Sequence, residues 1–213
     1  LNFEGDGIPK NKEEAAYYYK MAADNDNLES MIAYAQLIDK GSKKLKKDKY
    51  ESAIYYKKAA DKGDANSMFI VANKLDHGDG IDAVKYYKLG VDNNNVESMF
   101  RLAELKNEGI GTPIDKEGSA SLFKKAADQG HTKAMASYGK VLQIGDGVDE
   151  DRDEAVRYYK MALDKGEVEA MMNYGLMLYD DGEDKKEGLR LLKLAASKGH
   201  KGAKKELKNM KKE

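Results

Sequence analysis

Apolar residues along this chain follow two alternating helical patterns. The first is a stripe with i, i+3, i+4, i+7 spacing. It reads Met31, Tyr34, Ala35, Ile38; then Met68, Val71, Ala72, Leu75; then Met135, Tyr138, Gly139, Leu142; then Met171, Tyr174, Gly175, Leu178. Such spacing places one apolar face along an amphipathic helix. Met99, Leu102 and Ala103 start the same stripe, but Lys106 takes its fourth place, with Leu105 beside it. The second pattern is a segment that aligns six times without gaps, from Tyr18, Tyr55, Tyr86, Leu122, Tyr158 and Leu191, at intervals of 31 to 37 residues. That period accommodates two short helices and their turns.

Within the six segments, the positions that hold constant have physical causes. Three residues before each start is a small residue: Ala15, Ser52, Ala83, Ser119, Ala155, Gly188. Four residues after each start is another: Ala22, Ala59, Gly90, Ala126, Ala162, Ala195. On a helix the two share a side with the second large residue, so a neighbouring helix can approach closely while one bulky side chain fills the gap. Eight residues after each start come Asp26, Gly63, Asn94, Gly130, Gly166 and Gly199. These are the residue types that best tolerate a left-handed helix C-cap, so each segment is expected to end a helix there.

The stripe helices run into glycine loops, Gly78-Asp79-Gly80, Gly109-Ile110-Gly111 and Gly145-Asp146-Gly147, and Gly5-Asp6-Gly7 resembles the end of a further such helix. Both prolines, Pro9 and Pro113, follow such loops, where a fixed φ suits an approaching helix start. No strand pattern competes. The expectation is an all-α chain, a single domain over 1–213 of about six stacked helix pairs. A partial repeat would stand at the N-terminus, and a capping helix near 200–213 would carry Ala203, Leu207 and Met210 among lysines.

Composition narrows the function. The 37 basic and 38 acidic side chains leave a net charge of −1, so no global field draws in nucleic acid or an anionic membrane. No apolar run is long enough to cross a bilayer. The absence of cysteine removes disulfides, thiolate metal sites and a cysteine nucleophile. With no Asn-x-Ser/Thr acceptor either, a cytoplasmic location and a monomer are expected, although the start at Leu1 leaves a removed or truncated leader open.

The unit of small residue-Met-x-x-Tyr-Gly, glycine loop and Ala-x-x-Tyr-Tyr-Lys-x-Ala-Ala-x-x-Gly resembles the Sel-one-like repeat, a relative of the tetratricopeptide repeat. The fourth and fifth copies fit best; the second replaces the Gly-x-Gly loop with Gly41-Ser42-Lys43, and the third is shortened between Gly80 and Ala83. The resemblance implies a right-handed superhelical α-solenoid acting as an adaptor in protein complexes, binding a protein or peptide segment on its concave face. A few cysteine-rich bacterial members resemble β-lactam-handling hydrolases. A spacer within a longer multidomain protein is a further alternative.

By analogy with tetratricopeptide repeats, the first helix of each pair lines the concave face. With the stripe Met at zero and about 100° per residue, side chains between about 80° and 160° should face the groove. The candidate partner-binding residues are Ile32, Gln36, Phe69, Asn73, Phe100, Glu104, Lys140, Met172 and Leu176. Ile32, Phe69, Phe100, Ala136 and Met172 follow the stripe Met in each copy, and they either contact the partner or pack between adjacent first helices. On the first reading, Phe69→Ala with Phe100→Ala weakens partner binding and leaves helicity largely intact.

Signals for chemistry are thin, and no catalytic, cofactor or metal site is expected. His77, His131 and His200 have no partner at metal-binding spacing. Asp149 to Asp153 imitates the opening of a calcium loop, but Glu154 stands where glycine is required; an acidic helix start is the simpler reading. Lysine recurs two residues after each segment start, at Lys20, Lys57, Lys88, Lys124, Lys160 and Lys193, either as a basic ladder or as solvated residues near helix ends. Five lysines between Lys43 and Lys49 are read as a solvated loop.

Overall fold

A computed structural model describes residues 11–75, 81–182 and 184–210. Among the described residues there are twelve α-helices and no strand. They are α1 (Lys12–Asp24), α2 (Leu28–Lys40), α3 (Lys49–Asp61), α4 (Ala65–Leu75), α5 (Ile81–Asp92), α6 (Val96–Glu108), α7 (Lys116–Asp128), α8 (Thr132–Ile144), α9 (Arg152–Asp164), α10 (Val168–Asp180), α11 (Lys185–Ser197) and α12 (Lys201–Asn209). The chain divides into two compact units, Leu1–Ser98 and Met99–Glu213, with the division inside α6. In unit 1 each helix from α1 to α5 packs on the next. In unit 2 the same holds from α7 to α12, and α8 also packs on α10.

The turn from each second helix into the next first helix is a single device. Asp26 and Asn94 adopt left-handed φ of 72° and 56°, alongside Gly63, Gly130, Gly166 and Gly199 at the equivalent places. The following residue then does two jobs. Its N–H reaches back to a carbonyl of the ending helix, as in Asn27 to Ala22 (3.1 Å) and His131 to Ala126 (3.0 Å). Its side chain caps the next helix: Asn27 accepts from the Ser30 N–H, Asp64 from Ser67, Asn95 from Ser98, His131 from Ala134 and His200 from Ala203. Orphan groups at both helix ends are thereby satisfied within three residues.

The second helices start on Asn11, Asp48, Asp115, Asp151 and Asp184, whose side chains accept the N–H three residues on. Asp151 confirms that the acidic run is a helix start. Lys106, the interruption in the third stripe, pairs with the cap Asp115. Gly109, Gly111, Gly145 and Gly147 all have positive φ. The Gly5-Asp6-Gly7 and Gly78-Asp79-Gly80 loops, Pro9, His77 and the Leu75 side chain lie outside the described residues.

The expected stripe is the core. Met31, Tyr34, Ala35 and Ile38 are buried in unit 1; Met135, Tyr138, Leu142, Met171, Tyr174 and Leu178 are buried in unit 2. The small positions mark the closest approaches. A Cβ on Gly139 would stand 2.9 Å from the Tyr159 ring, and one on Gly175 would stand 3.1 Å from the Gly188 carbonyl. Tyr159 is fully buried and its hydroxyl donates to Gln143 Oε1 at 2.7 Å.

Candidate functional site

Stacking the first helices of unit 2 side by side leaves a recess of about 500 Å³. Phe100, Glu104, Asn107 and Glu108 line it from α6, and Glu167, Glu169 and Asn173 from the α10 side. Between them Lys133, Ser137, Lys140 and Ile144 of α8 form an i, i+4, i+7, i+11 stripe down the middle, with Val141 beside it. Phe123 and Asp146 complete the lining.

The charges in the recess are unevenly answered. Glu104 pairs with Arg101 at 2.7 Å, Asp146 with Lys116 at 2.9 Å, and Glu169 with His200 at 2.9 Å. Because His200 Nδ1 accepts from the Ala203 N–H, its Nε2 carries the proton donated to Glu169. Lys133 and Lys140 have no carboxylate within ion-pair distance among the described residues, and both are exposed. The Asn173 Nδ2 is buried without an acceptor.

The candidate residues divide. Phe100, Glu104 and Lys140 come together in the recess. Ile32, Gln36, Phe69 and Asn73 sit on α2 and α4 of unit 1; Met172 and Leu176 sit on α10 but do not line the recess. The apolar residue after each stripe Met is largely packing. Phe100 is 7% exposed, stacked on His131 at 4.4 Å and tilted against Phe123 at 5.8 Å. Met172 is 9% exposed and packs with Leu192, Ala195 and Ala203. Ile32, Phe69 and Leu176 are half-buried, while Gln36 and Asn73 are exposed.

Ser137, Asn107, Ile144 and Asn173 were missed, whereas Lys133 falls at the edge of the expected groove flank. The same angular arithmetic places Lys133, Ile144, Ser137 and Asn173 between about 160° and 200° from the stripe Met. The residues near about 100° are those buried between neighbouring helices. A window centred near the direction opposite the core would have found the recess.

Among the described residues, no group of three His, Cys, Asp or Glu side chains could hold a metal ion, and no helix is long and apolar enough to cross a membrane.

The Sel1 repeat family model matches residues 1–27, 28–64, 96–131, 132–167 and 168–200, most of the chain. The chain belongs to the Sel1 repeat family. Residues 65–95, which include the shortened third copy, are not matched, yet α4 and α5 there pack as a helix pair. A Sel1 repeat protein from Oxalobacter formigenes is 28% identical with a TM-score of 0.74, over 83% of this chain and 73% of that one. A protective antigen of uropathogenic Escherichia coli with an SLR fold is 21% identical with a TM-score of 0.86; it covers 94% of this chain, which spans 45% of that one. A putative Sel1 repeat protein from Klebsiella pneumoniae is 19% identical with a TM-score of 0.53, over 92% and 99% of the two chains. No curated protein matches. Sel1 repeat proteins are generally protein-interaction scaffolds and their solenoids are typically non-catalytic.

Two of the recurring lysines bind successive Sel1 repeats together rather than forming a free ladder. Lys20 reaches Glu51 at 2.9 Å and the Tyr55 hydroxyl at 2.8 Å, while Tyr55 donates to Asp24. Three repeats later Lys124 bonds Asp128 at 2.8 Å and Tyr158 at 3.4 Å, and Tyr158 donates to Asp128 at 2.5 Å. In each node a stripe tyrosine meets the segment tyrosine edge-on, Tyr34 with Tyr55 at 4.8 Å and Tyr138 with Tyr158 at 4.9 Å. The Tyr55 hydrogen bond holds the Asp24 carboxyl below the usual range. Burial works the other way on Asp128, but Lys124 and Tyr158 outweigh it and lower it as well. Burial and the carboxylate partner push both segment tyrosines up.

Proposed function

We propose that this chain is a protein-interaction scaffold whose first-helix faces hold an extended segment of a partner protein, on a single solenoid of six repeats. The recess lined by α6, α8 and α10 carries this reading: it is open, walled by first helices, and lined by polar side chains that packing does not require. An extended chain lying in such a groove is a recurring mode of peptide recognition.

Phe100→Ala is a poor test, because removing so buried a ring costs about 3–5 kcal/mol and disturbs the fold itself. The better variant is Glu104→Arg with Lys140→Glu, which reverses two charges at the recess without emptying the core. Proteins captured by the wild type from the source organism's lysate are expected to be lost from this variant. They are expected to remain with Lys160→Glu on a second helix, with all three chains melting alike. Equal capture by the recess variant overturns the reading.

A further inference from the structure

We propose that the recess of unit 2 receives an acidic residue of the partner segment, its carboxylate held between Lys133 and Lys140 of α8. This rests on the recess being the docking face and names what it recognises.

Of the carboxylates lining the recess, Glu104 and Asp146 each face a cation of this chain, and Glu169 accepts the Nε2 proton of the neutral His200 ring. Glu167 serves as the N-cap of α10, where the helix dipole and the Glu169 N–H answer its charge. Glu108 stays exposed at the end of α6. Lys133 and Lys140 stand two turns apart on the central stripe with no acid against them, and a donor-bearing Ser137 lies between. Beside them the Asn173 carboxamide, which also lines the recess, keeps a buried N–H₂ with no acceptor. Two ammonium groups, a hydroxyl and an amide all seek the same thing, an anionic oxygen acceptor.

The stripe also sets the length and the neighbour of that acidic residue. From Lys133 to Ile144 is about 16 Å along the helix, the span of about five extended residues. Ile144 is 57% exposed at one end, so an aliphatic side chain near the acidic one has a surface to cover.

The experiment is selection of a random-peptide display library on the intact chain, followed by fluorescence polarisation of the enriched peptides. Enriched peptides are expected to be acidic, to weaken at least tenfold with Lys133→Glu plus Lys140→Glu, and to weaken as salt rises. Lys133→Gln with Lys140→Gln repeats the test should charge reversal disturb folding, and Lys160→Glu should change nothing. Ser137→Trp, which fills the recess, separates the two claims. Basic or neutral peptides that Ser137→Trp abolishes would overturn the acidic chemistry and leave the docking face standing. Peptides indifferent to every recess variant, or no enrichment over the bare matrix, would overturn both.

Discussion

His131 shows how a side chain acquires a role from its position in the turn. It follows a left-handed Gly130, donates its N–H to the ending helix, and accepts the Ala134 N–H through Nδ1 at 3.0 Å. His200 repeats this one turn of the solenoid from the end of the chain. The residue type at this place varies among Asn, Asp, Glu and His, because the need is only for an acceptor within reach of the new helix. Asp26 and Asn94 were legible as left-handed caps from their alignment with four glycines, since few other residue types tolerate that conformation. The capping role of the histidines was not, because histidine is a rare cap and the sequence does not show where its ring points. His131→Ala is expected to lower stability by about 1 kcal/mol more than His131→Asn, which restores the cap. The readout is the urea midpoint; equal losses would mean that stacking on Phe100, not capping, is what the ring contributes.

At the scale of the element, the lysine–aspartate–tyrosine nodes tie α1 to α3 and α7 to α9. Lys20 and Lys124 are about half exposed in each case, so screening reduces what the ion pairs contribute. The pH dependence has two limbs. Asp24 and Asp128 titrate below the usual range, so their share of stability is present above about pH 4 and is lost as pH falls through their folded values. Tyr55 and Tyr158 titrate above it, so theirs is present below about pH 10 and is lost as pH rises through their folded values. Tyr158→Phe is expected to cost about 1 kcal/mol at neutral pH and to flatten the acid limb of a urea-midpoint profile. An unchanged profile would mean that Asp128 is held by Lys124 alone. The partners in each node lie some 30 residues apart, so inspection of one helix classed these lysines as solvated.

In a repeat protein, stacked repeats are expected to act as coupled neighbours rather than as one indivisible core. Ala162→Leu, at a fully buried contact of α9, is expected to cost about 1–3 kcal/mol by overpacking. Amide hydrogen exchange should show the lost protection in α8 to α11, with α1 to α3 unchanged. Uniform loss along the chain would contradict nearest-neighbour coupling. The sequence by itself determined the helix-pair architecture, its buried stripes and the places where helices end. Those follow from periodicity, side-chain volume and backbone freedom, which are local and repeat in every copy. Only the tertiary structure decided that Phe100 and Met172 are packing and that Lys133, Lys140 and Asn173 share a recess. It also decided that Lys20 and Lys124 join repeats. Each of these depends on how a helix sits against its neighbours in the stack, which side chains distant in sequence set together.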